Sequence, residues 1–288
     1  MEKKKHIILI PVYNDWESLS KLLSIIDKNI IYYDRYDTEV LILNDRSIDP
    51  INLKKVKLNS IKRLSVLSVK KNLGSQKIIA IGLKYINDKN KNFVTIIDSD
   101  GEDNPLEINK MLKLAEINEN FVITSNRLAR KESFLIIFLY KAHLFLTFIF
   151  CLKWISFGNF TSFDARNINK IIKDKSSWYA HSASVIKNCK IKRLYAKRES
   201  RYFGKSKLSI LKLIEHSLRI NAVFIQRVIL MSMIYIILFS SIINNILFLS
   251  CFVLILIIFN IAIVLTKIKH HISSENKLDE FIEKVELI

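Results

Sequence analysis

Apolar and polar positions along the first half of the chain fall into two repeating patterns. Short apolar runs predict five β-strands, at residues 7–10, 40–43, 63–69, 93–97 and 121–125. Apolar residues spaced along one helical face predict three helices, at residues 16–27, 76–86 and 106–116. Strands that alternate with helices in this order form a parallel sheet with crossover helices. We therefore predict an α/β fold with a mostly parallel, Rossmann-like sheet.

Each of the first four predicted strands ends in polar residues. Carboxyl ends of parallel strands meet at one edge of a sheet, so we expect one crevice to be lined by Asn14, Asp45, Asn72 and Asp98. Turn chemistry would explain any one of these residues alone. Asp100, two residues after Asp98, adds a second carboxylate, and such oxygen donors suit Mg²⁺ or Mn²⁺ held against a diphosphate. Together these residues favour a nucleotide pocket.

Residues 134–157 break the pattern of a soluble domain. They are dominated by Phe, Leu and Ile, but Lys141, His143 and Lys153 interrupt the run. Charge near the centre of a helix is costly inside a bilayer, whereas an interfacial helix can direct its lysine side chains towards water. The pattern therefore predicts an interfacial helix, and a buried core helix is the alternative.

Residues 228–265 carry no charged side chain over 38 positions. One membrane span needs about 20 residues, so the run is long enough for two, and Asn244-Asn245 divides it. We predict a hairpin of two transmembrane helices. Arg227 before the run, and Lys267 and Lys269 after it, indicate that both ends lie in the cytoplasm. Amphipathic helices are predicted on either side of the hairpin, at residues 208–221 and 273–288.

The charge of the chain indicates an anionic partner. The formal net charge is +18, and residues 187–212 hold ten basic residues against one acidic residue. Half of the surplus therefore lies beside the predicted membrane segment, which favours phosphorylated substrates or an anionic membrane face over nucleic acid. The three cysteines fit neither a disulfide framework nor a zinc site. The first apolar run is too short for a signal-peptide core, so we expect the catalytic part in the cytoplasm.

Several motifs carry a resemblance to a known family: Pro-Val-Tyr-Asn from residue 11, Asn-Asp-Arg-Ser from residue 44, Asn-Leu-Gly-Ser-Gln-Lys from residue 72 and Asp-Ser-Asp-Gly-Glu-Asp from residue 98. They resemble the family 2 glycosyltransferases of the GT-A fold. A further motif, Arg198-x-x-Arg201-x-x-Gly204-x-Ser206-Lys207, is similar to the signature of the branch that loads sugars onto polyprenyl phosphates. Dolichol-phosphate mannosyltransferase and bacterial undecaprenyl-phosphate glucosyltransferases belong to that branch. The resemblance covers residues 6–266.

The resemblance implies an inverting transfer from a nucleotide sugar, assisted by Mg²⁺ or Mn²⁺ bound to Asp98 and Asp100. It implies that the nucleotide sugar is contacted by Pro11, Tyr13, Asn14, Asp45, Lys71, Asp98 and Ser99. Of these residues, Asp45 and Lys71 would lie near the base. It implies contacts to the lipid phosphate from Arg127, Arg130, Arg198, Arg201, Ser206 and Lys207. The catalytic residues would be Asp100, Arg127, Arg198 and Arg201.

Two positions depart from the family pattern. Lys71 stands where the family often has Arg, and an ammonium group lacks the planar fork of a guanidinium. Asn159 stands where many relatives carry the carboxylate of a Gly-Asp-Phe-Arg motif, so this position lacks a general base. A phosphate monoester acceptor is already an anion near neutral pH and needs little deprotonation.

We therefore expect a GT-A glycosyltransferase domain at residues 1–207, a juxtamembrane helix at 208–227, a transmembrane hairpin at 228–266 and a cytoplasmic tail at 267–288. The expected protein is an integral inner-membrane enzyme that transfers a sugar to a polyprenyl phosphate at the cytoplasmic face, for synthesis or modification of cell-surface glycans. Two alternatives stay open, a membrane-anchored transferase acting on another glycan or lipid acceptor, and an inert nucleotide-sugar binder. The sequence also leaves open whether the protein forms a homo-oligomer.

Overall fold

The computed structural model describes residues 3–30, 35–53, 57–127, 134–204, 210–271 and 278–288. The chain divides into two compact units. The first, which we call the sheet unit, comprises residues 1–131, 157–206 and 273–288. The second, the helical unit, comprises residues 132–156 and 207–272.

The sheet unit contains an eight-stranded sheet in the order β7-β5-β6-β4-β1-β2-β3-β8. The strands are β1 Lys4–Val12, β2 Tyr36–Asn44, β3 Arg63–Val69, β4 Phe93–Ile96, β5 Phe121–Arg127, β6 Phe157–Asp164, β7 Lys190–Ala196 and β8 Ile282–Leu287. The helices of this unit are α1 Trp16–Ile30, α2 Ser75–Ile86, α3 Ile108–Ile117, α5 Ile168–Ile172, α6 Ser176–Tyr179, α7 His181–Asn188 and α11 Leu278–Phe281. The five predicted strands and three predicted helices are confirmed, with ends that differ by a few residues.

The central strands are buried on both faces, as parallel strands covered by crossover helices must be. Side chains alternate between faces along a strand. Ile8 and Ile10 of β1 join one apolar cluster with Leu22 of α1 and Met111 of α3. On the other face, α2 approaches β2 so closely that a Cβ atom at Gly82 would lie 2.7 Å from Cδ1 of Leu43. The sheet is thereby a rigid support for the loops at its carboxyl edge.

The sheet is mostly parallel, as predicted, and two of its strands run against the rest. β1, β2, β3 and β4 are parallel neighbours, and β5 pairs in parallel with β7. β6 lies antiparallel between β4 and β5, and β8 lies antiparallel to β3. β6 and β7 were not among the strands predicted from the apolar pattern.

The prediction of an amphipathic helix over residues 273–288 is wrong. Within the described part of that stretch, only Leu278–Phe281 is helical, and Ile282–Leu287 forms β8. β8 covers the outer edge of β3, whose backbone N–H and C=O groups need partners, and these hydrogen bonds outweigh the helical spacing of the apolar residues. Arg46 and Glu283 form an ion pair of 2.5 Å that joins β8 to the loop after β2.

The helical unit consists of α4 Phe134–Cys151, α8 Ile210–Val223, α9 Ile225–Ile242 and α10 Ile246–His270. α4 is shorter than predicted, because the chain becomes β6 from Phe157. The predicted pair of apolar helices is confirmed, and α9 and α10 have the length and composition of membrane spans. Asn245 separates them, and its side-chain oxygen accepts a hydrogen bond from the backbone N–H of Phe248 at 3.1 Å. Stacked rings of Phe239 and Phe252, 4.3 Å apart, hold the two helices together.

Candidate active site

The two predicted aspartates lie in a tight turn after β4, which we call the acidic turn, residues 98–103. The backbone N–H of Ile97 still bonds to Leu9 of β1 at 3.1 Å, so the turn begins at the carboxyl edge of the parallel strands. Oδ1 of Asp100 accepts the backbone N–H of Glu102 at 3.0 Å. This bond fixes the direction of the Asp100 carboxylate.

The segment after β7, residues 197–204, packs on the acidic turn, and we call it the arginine segment. The backbone N–H of Tyr202 donates to the carbonyl of Asp100 at 3.0 Å, and that of Glu199 donates to the carbonyl of Glu102 at 2.9 Å. Gly101 has φ of 82°, and a Cβ atom there would lie 2.4 Å from the ring of Tyr202. Only glycine fits both the backbone conformation and the ring.

The two arginines of the signature motif pair with carboxylates around this turn. Arg201 donates from Nη1 to Oδ2 of Asp100 at 2.8 Å and from Nη2 to Oδ2 of Asp15 at 2.9 Å. Arg198 forms an ion pair with Glu102, and burial lowers the pKa of Arg198, against the opposing effect of Asp100 and Asp98. The two motifs that the sequence analysis treated separately are therefore one structural site.

Asn159, on β6, lies beside Asp98. Its Nδ2 donates to Oδ1 of Asp98 at 2.9 Å, and its Oδ1 accepts from Nε2 of Gln76 at 3.0 Å. The position that lacks the carboxylate of the family pattern thus supplies a neutral donor to the first aspartate. Gln76, at the start of α2, belongs to the Asn-Leu-Gly-Ser-Gln-Lys motif, but the sequence analysis assigned it no role.

Asp45 and Asn14, which are predicted to contact the nucleotide, also hold loops together in this structure. Both carboxylate oxygens of Asp45 accept backbone N–H groups, from Leu73 at 2.7 Å and from Gly74 at 2.8 Å. Burial raises the pKa of Asp45 to about 6, although these two bonds favour its charged form. Asn14 has φ of 49°, and its side-chain oxygen accepts the backbone N–H of Ile48 at 2.7 Å.

The remaining predicted residues divide by exposure. Pro11 and Ser99 are buried, whereas Tyr13 and Lys71 are exposed at the same edge of the sheet. The backbone of Arg127 pairs with Ala196, and its side chain lies outside the described part of the chain. Arg130, Ser206 and Lys207 also lie outside the described residues.

Asp15 and Glu102 are site residues that the sequence analysis missed. Asp15 directly follows Asn14, and Glu102 follows the Asp-Ser-Asp-Gly run, so both stand next to predicted positions. Asp15 pairs with Arg201, 186 positions away, and Glu102 pairs with Arg198, 96 positions away. A local sequence pattern cannot predict pairs with such separations.

A divalent cation fits the donors of the acidic turn. The carboxylates of Asp98 and Asp100 are hard oxygen ligands, and Mg²⁺ is commonly held by one or two carboxylates, with substrate phosphates and water completing its coordination. Among the described residues, no three His, Cys, Asp or Glu side chains form a cluster that could hold a metal alone.

A surface cavity of about 590 Å³ lies at the outer end of the same edge, between the loop after β2 and β8. Asn44, Ser47, Ser68 and Glu283 are among its lining residues, whereas neither Asp98 nor Asp100 is. The acidic turn and this cavity are therefore separate features of the sheet edge.

Comparison with known proteins gives one family and a set of similar folds. The sequence profile described as glycosyl transferase family 2 matches residues 7–181. No curated protein sequence matches the chain at a significant level.

Three crystal structures illustrate the shared fold. Mycobacterium tuberculosis glucosyl-3-phosphoglycerate synthase in complex with Mn²⁺, UDP and glucosyl-3-phosphoglycerate is similar, with 15% identity, a TM-score of 0.51 and coverage of 78% of this chain and 80% of that one. The same enzyme with phosphoglyceric acid has 14% identity, a TM-score of 0.52 and the same coverages. A structure described only as a mycobacterial protein has 13% identity and a TM-score of 0.52, and the similarity covers 78% of this chain and 74% of that one.

Proposed function

The chain belongs to glycosyltransferase family 2, and from this we propose that it transfers a sugar from a nucleotide sugar to a polyprenyl phosphate at the cytoplasmic face of the inner membrane. One observation carries the proposal. Arg201 of the arginine segment donates to Asp100 of the acidic turn at 2.8 Å. A cationic fork beside the carboxylates of a donor site is suited to the phosphate of an acceptor.

The donor half of the proposal rests on the acidic turn. Asp98 and Asp100 would hold Mg²⁺ or Mn²⁺, and the bound cation would neutralise the charge that develops on the departing nucleoside diphosphate. The mycobacterial synthase with a similar fold was crystallised with Mn²⁺ and UDP, which supports a metal and a nucleotide sugar here. Asp45 and Lys71 are the proposed contacts to the base.

The acceptor half rests on the arginine segment and on Asn159. A phosphate monoester already carries its nucleophilic charge, so no base is needed to deprotonate it. A neutral amide at residue 159 is compatible with such an acceptor. Arg198 and Arg201 would bind its phosphate oxygens, and Arg201 could exchange Asp100 for phosphate when a cation takes that carboxylate.

A membrane location is supported by the surface of the two long helices. Their apolar side chains are largely exposed, for example Ile237 at 67% and Leu247 at 72%. Soluble proteins rarely leave apolar patches of this extent in water, whereas lipid would cover them. We propose that α9 and α10 form a transmembrane hairpin.

The membership of β7 and β8 in one sheet supports an even number of membrane crossings. β7 precedes the two helices in the chain and β8 follows them, yet both strands belong to one sheet. A chain that leaves a sheet and returns to it crosses a membrane an even number of times. Arg227, Lys267 and Lys269 at the helix ends favour the cytoplasm for the sheet unit.

The experiment that tests this function offers the purified, detergent-solubilised protein a panel of radiolabelled nucleotide sugars. Undecaprenyl phosphate, undecaprenol and phosphoglyceric acid serve as alternative acceptors, with Mg²⁺ or Mn²⁺ present. We expect label in the organic phase with undecaprenyl phosphate and one donor only. Label on undecaprenol or phosphoglyceric acid would identify another acceptor class, and no transfer from any donor would favour the inert binder.

A further inference from the structure

Two buried amides link the first aspartate of the acidic turn to the backbone of α7. The backbone N–H of His181 donates to Oε1 of Gln76 at 2.7 Å. Gln76 donates from Nε2 to Oδ1 of Asn159 at 3.0 Å, and Asn159 donates from Nδ2 to Oδ1 of Asp98 at 2.9 Å. We call this series of hydrogen bonds the amide relay.

The relay has only one possible polarity. A backbone N–H can donate but not accept, so the group of Gln76 that faces His181 must be the oxygen. The NH₂ group of Gln76 then faces Asn159, which must present its own oxygen. The NH₂ group of Asn159 is left facing Asp98. The backbone of one residue thereby determines that Asp98 receives a donor.

His181 also holds the backbone of Asn159. Its Nε2 lies 2.9 Å from Oγ1 of Thr161, and that hydroxyl donates to the carbonyl oxygen of Asn159 at 3.1 Å. Because the hydroxyl donates to the carbonyl, it accepts from the imidazole. Burial lowers the pKa of His181 to about 3, so the ring stays neutral and keeps this arrangement over the physiological range.

Burial makes the relay costly to disturb. Gln76 is 6% exposed and Asn159 9% exposed, whereas His181 is fully buried. A donor or acceptor that loses its partner in such surroundings cannot replace it with water. The orientation of the Asn159 amide is therefore transmitted to the carboxylate of Asp98, which lies at the edge of the site.

We propose that Gln76 and Asn159 are positioning residues that keep the carboxylate of Asp98 oriented towards the divalent cation of the donor. The inference rests on the proposed function, because that function assigns the cation to Asp98. A donor N–H stabilises a carboxylate in its charged form. A carboxylate at residue 159 would instead set a like charge against Asp98.

The test is the substitution Gln76→Glu, which changes one atom and reverses the relay. A glutamate can accept from His181 but cannot donate to Asn159 while it is ionised. The amide of Asn159 would then turn, and its oxygen would face Asp98. At low pH the glutamate is protonated and can donate as glutamine does, so the defect should disappear.

The measurement is the dissociation constant for Mn²⁺ in the presence of UDP, obtained from the electron paramagnetic resonance signal of free Mn²⁺ with full-length protein in detergent. We expect Gln76→Glu to weaken Mn²⁺ binding about tenfold or more at pH 7.5, but less than about threefold at pH 5.5, each relative to wild type at the same pH. Gln76→Met, which keeps the length of the side chain, should weaken binding several-fold at both pH values.

The outcomes separate the relay from the function on which it rests. Wild-type binding by Gln76→Glu and Gln76→Met at both pH values, with Asp98→Asn impaired, would overturn the relay and leave the proposed metal site standing. An equal loss at both pH values for Gln76→Glu would also overturn it, since the reversal of polarity would then have no effect. If Gln76→Glu does not fold, the Mn²⁺ affinity of Gln76→Met is the test: a several-fold loss supports the relay, and wild-type affinity overturns it. Absence of Mn²⁺ binding by the wild type would overturn the proposed metal site and the relay with it.

Discussion

Arg201 and Asp100 form an ion pair of 2.8 Å that joins the arginine segment to the acidic turn. The same guanidinium reaches Asp15 at 2.9 Å, so one planar group links the turns that follow β1 and β4. The side chain of Arg201 is only 21% exposed, which limits screening by solvent. A cation bound at Asp100 would compete with Arg201 for the carboxylate of that residue.

The first prediction concerns the fork of Arg201. Arg201→Lys keeps the charge but cannot reach two carboxylates, or two phosphate oxygens, in fixed geometry. We expect a loss of about tenfold to a hundredfold in the rate of sugar transfer, measured at saturating nucleotide sugar with the polyprenyl phosphate varied. Lys190→Ala, at an exposed position of β7, removes a whole charge outside the motif and should change the rate by less than about fivefold. A crippled Lys190→Ala beside an active Arg201→Lys would contradict the phosphate clamp.

The second prediction concerns metal dependence. Asp100→Asn replaces a charged oxygen ligand by a neutral one, and should abolish transfer while the protein still inserts into membranes and folds. Chelation of divalent cations by EDTA should have the same effect on the wild type, and added Mg²⁺ or Mn²⁺ should reverse it. Transfer near the wild-type rate by Asp100→Asn, with Mg²⁺ supplied, would remove the metal from the mechanism.

The third prediction compares two glycines that both have a positive φ. Gly101 and Gly74 have φ of 82° and 84°, so alanine is strained at both, by about 1–3 kcal/mol. Only at Gly101 would the new Cβ atom meet another group, the ring of Tyr202. We expect Gly101→Ala to displace Tyr202 and lower the thermal midpoint and the transfer rate more than Gly74→Ala does. Equal effects of the two substitutions would show that the packing of Tyr202 on the turn is unimportant.

The fourth prediction is a pH dependence of stability from Asp45. Its pKa is raised from 3.8 to about 6 by burial, so folding favours the protonated form. This contribution to stability is fully present below pH 3.8 and is lost as the pH rises through 6. Asp45→Asn cannot ionise, so its thermal midpoint relative to wild type should rise between pH 4 and pH 7. A difference that stays constant with pH would mean that Asp45 is not the group that titrates.

The fifth prediction concerns topology. In a variant whose three native cysteines are replaced by serine, Asn245→Cys should react with an impermeant maleimide added to intact cells, because Asn245 lies between the two spans. Glu280→Cys, beyond the second span, should react only after the cells are permeabilised. Labelling of Glu280→Cys in intact cells would contradict the hairpin.

The apolar pattern predicted the strands whose burial is visible in their own residues. β6 was not predicted, because fully buried polar residues such as Thr161 and Ser162 interrupt its apolar run. Hydrogen bonds inside the sheet satisfy these hydroxyl groups. β7 was not predicted for the opposite reason, because its residues Lys190, Lys192 and Arg193 are exposed. β8 was wrongly predicted because the edge of β3, more than 200 residues away, determines its conformation.

The candidate site was predictable in composition but not in pairing. Residues at strand ends, such as Asp98, follow from the local sequence, and so does the regular spacing of Arg198 and Arg201. The partner of Arg201 does not, because Asp15 lies 186 residues away and meets it only through the fold. Asn159 could be identified from sequence only as a missing carboxylate, and its role as a donor to Asp98 depends on the neighbouring strand.

β8 makes the completion of the sheet depend on the order of synthesis. The ribosome makes β3 at residues 63–69, but its partner only after α9 and α10, at residues 282–287. The nascent sheet unit therefore carries an open strand edge, prone to pairing with other chains, until residues 282–287 have been synthesised. Truncation before α9 would consequently leave the edge of β3 uncovered. A shortened version of the sheet unit keeps this edge paired only if residues 278–288 are rejoined through a linker.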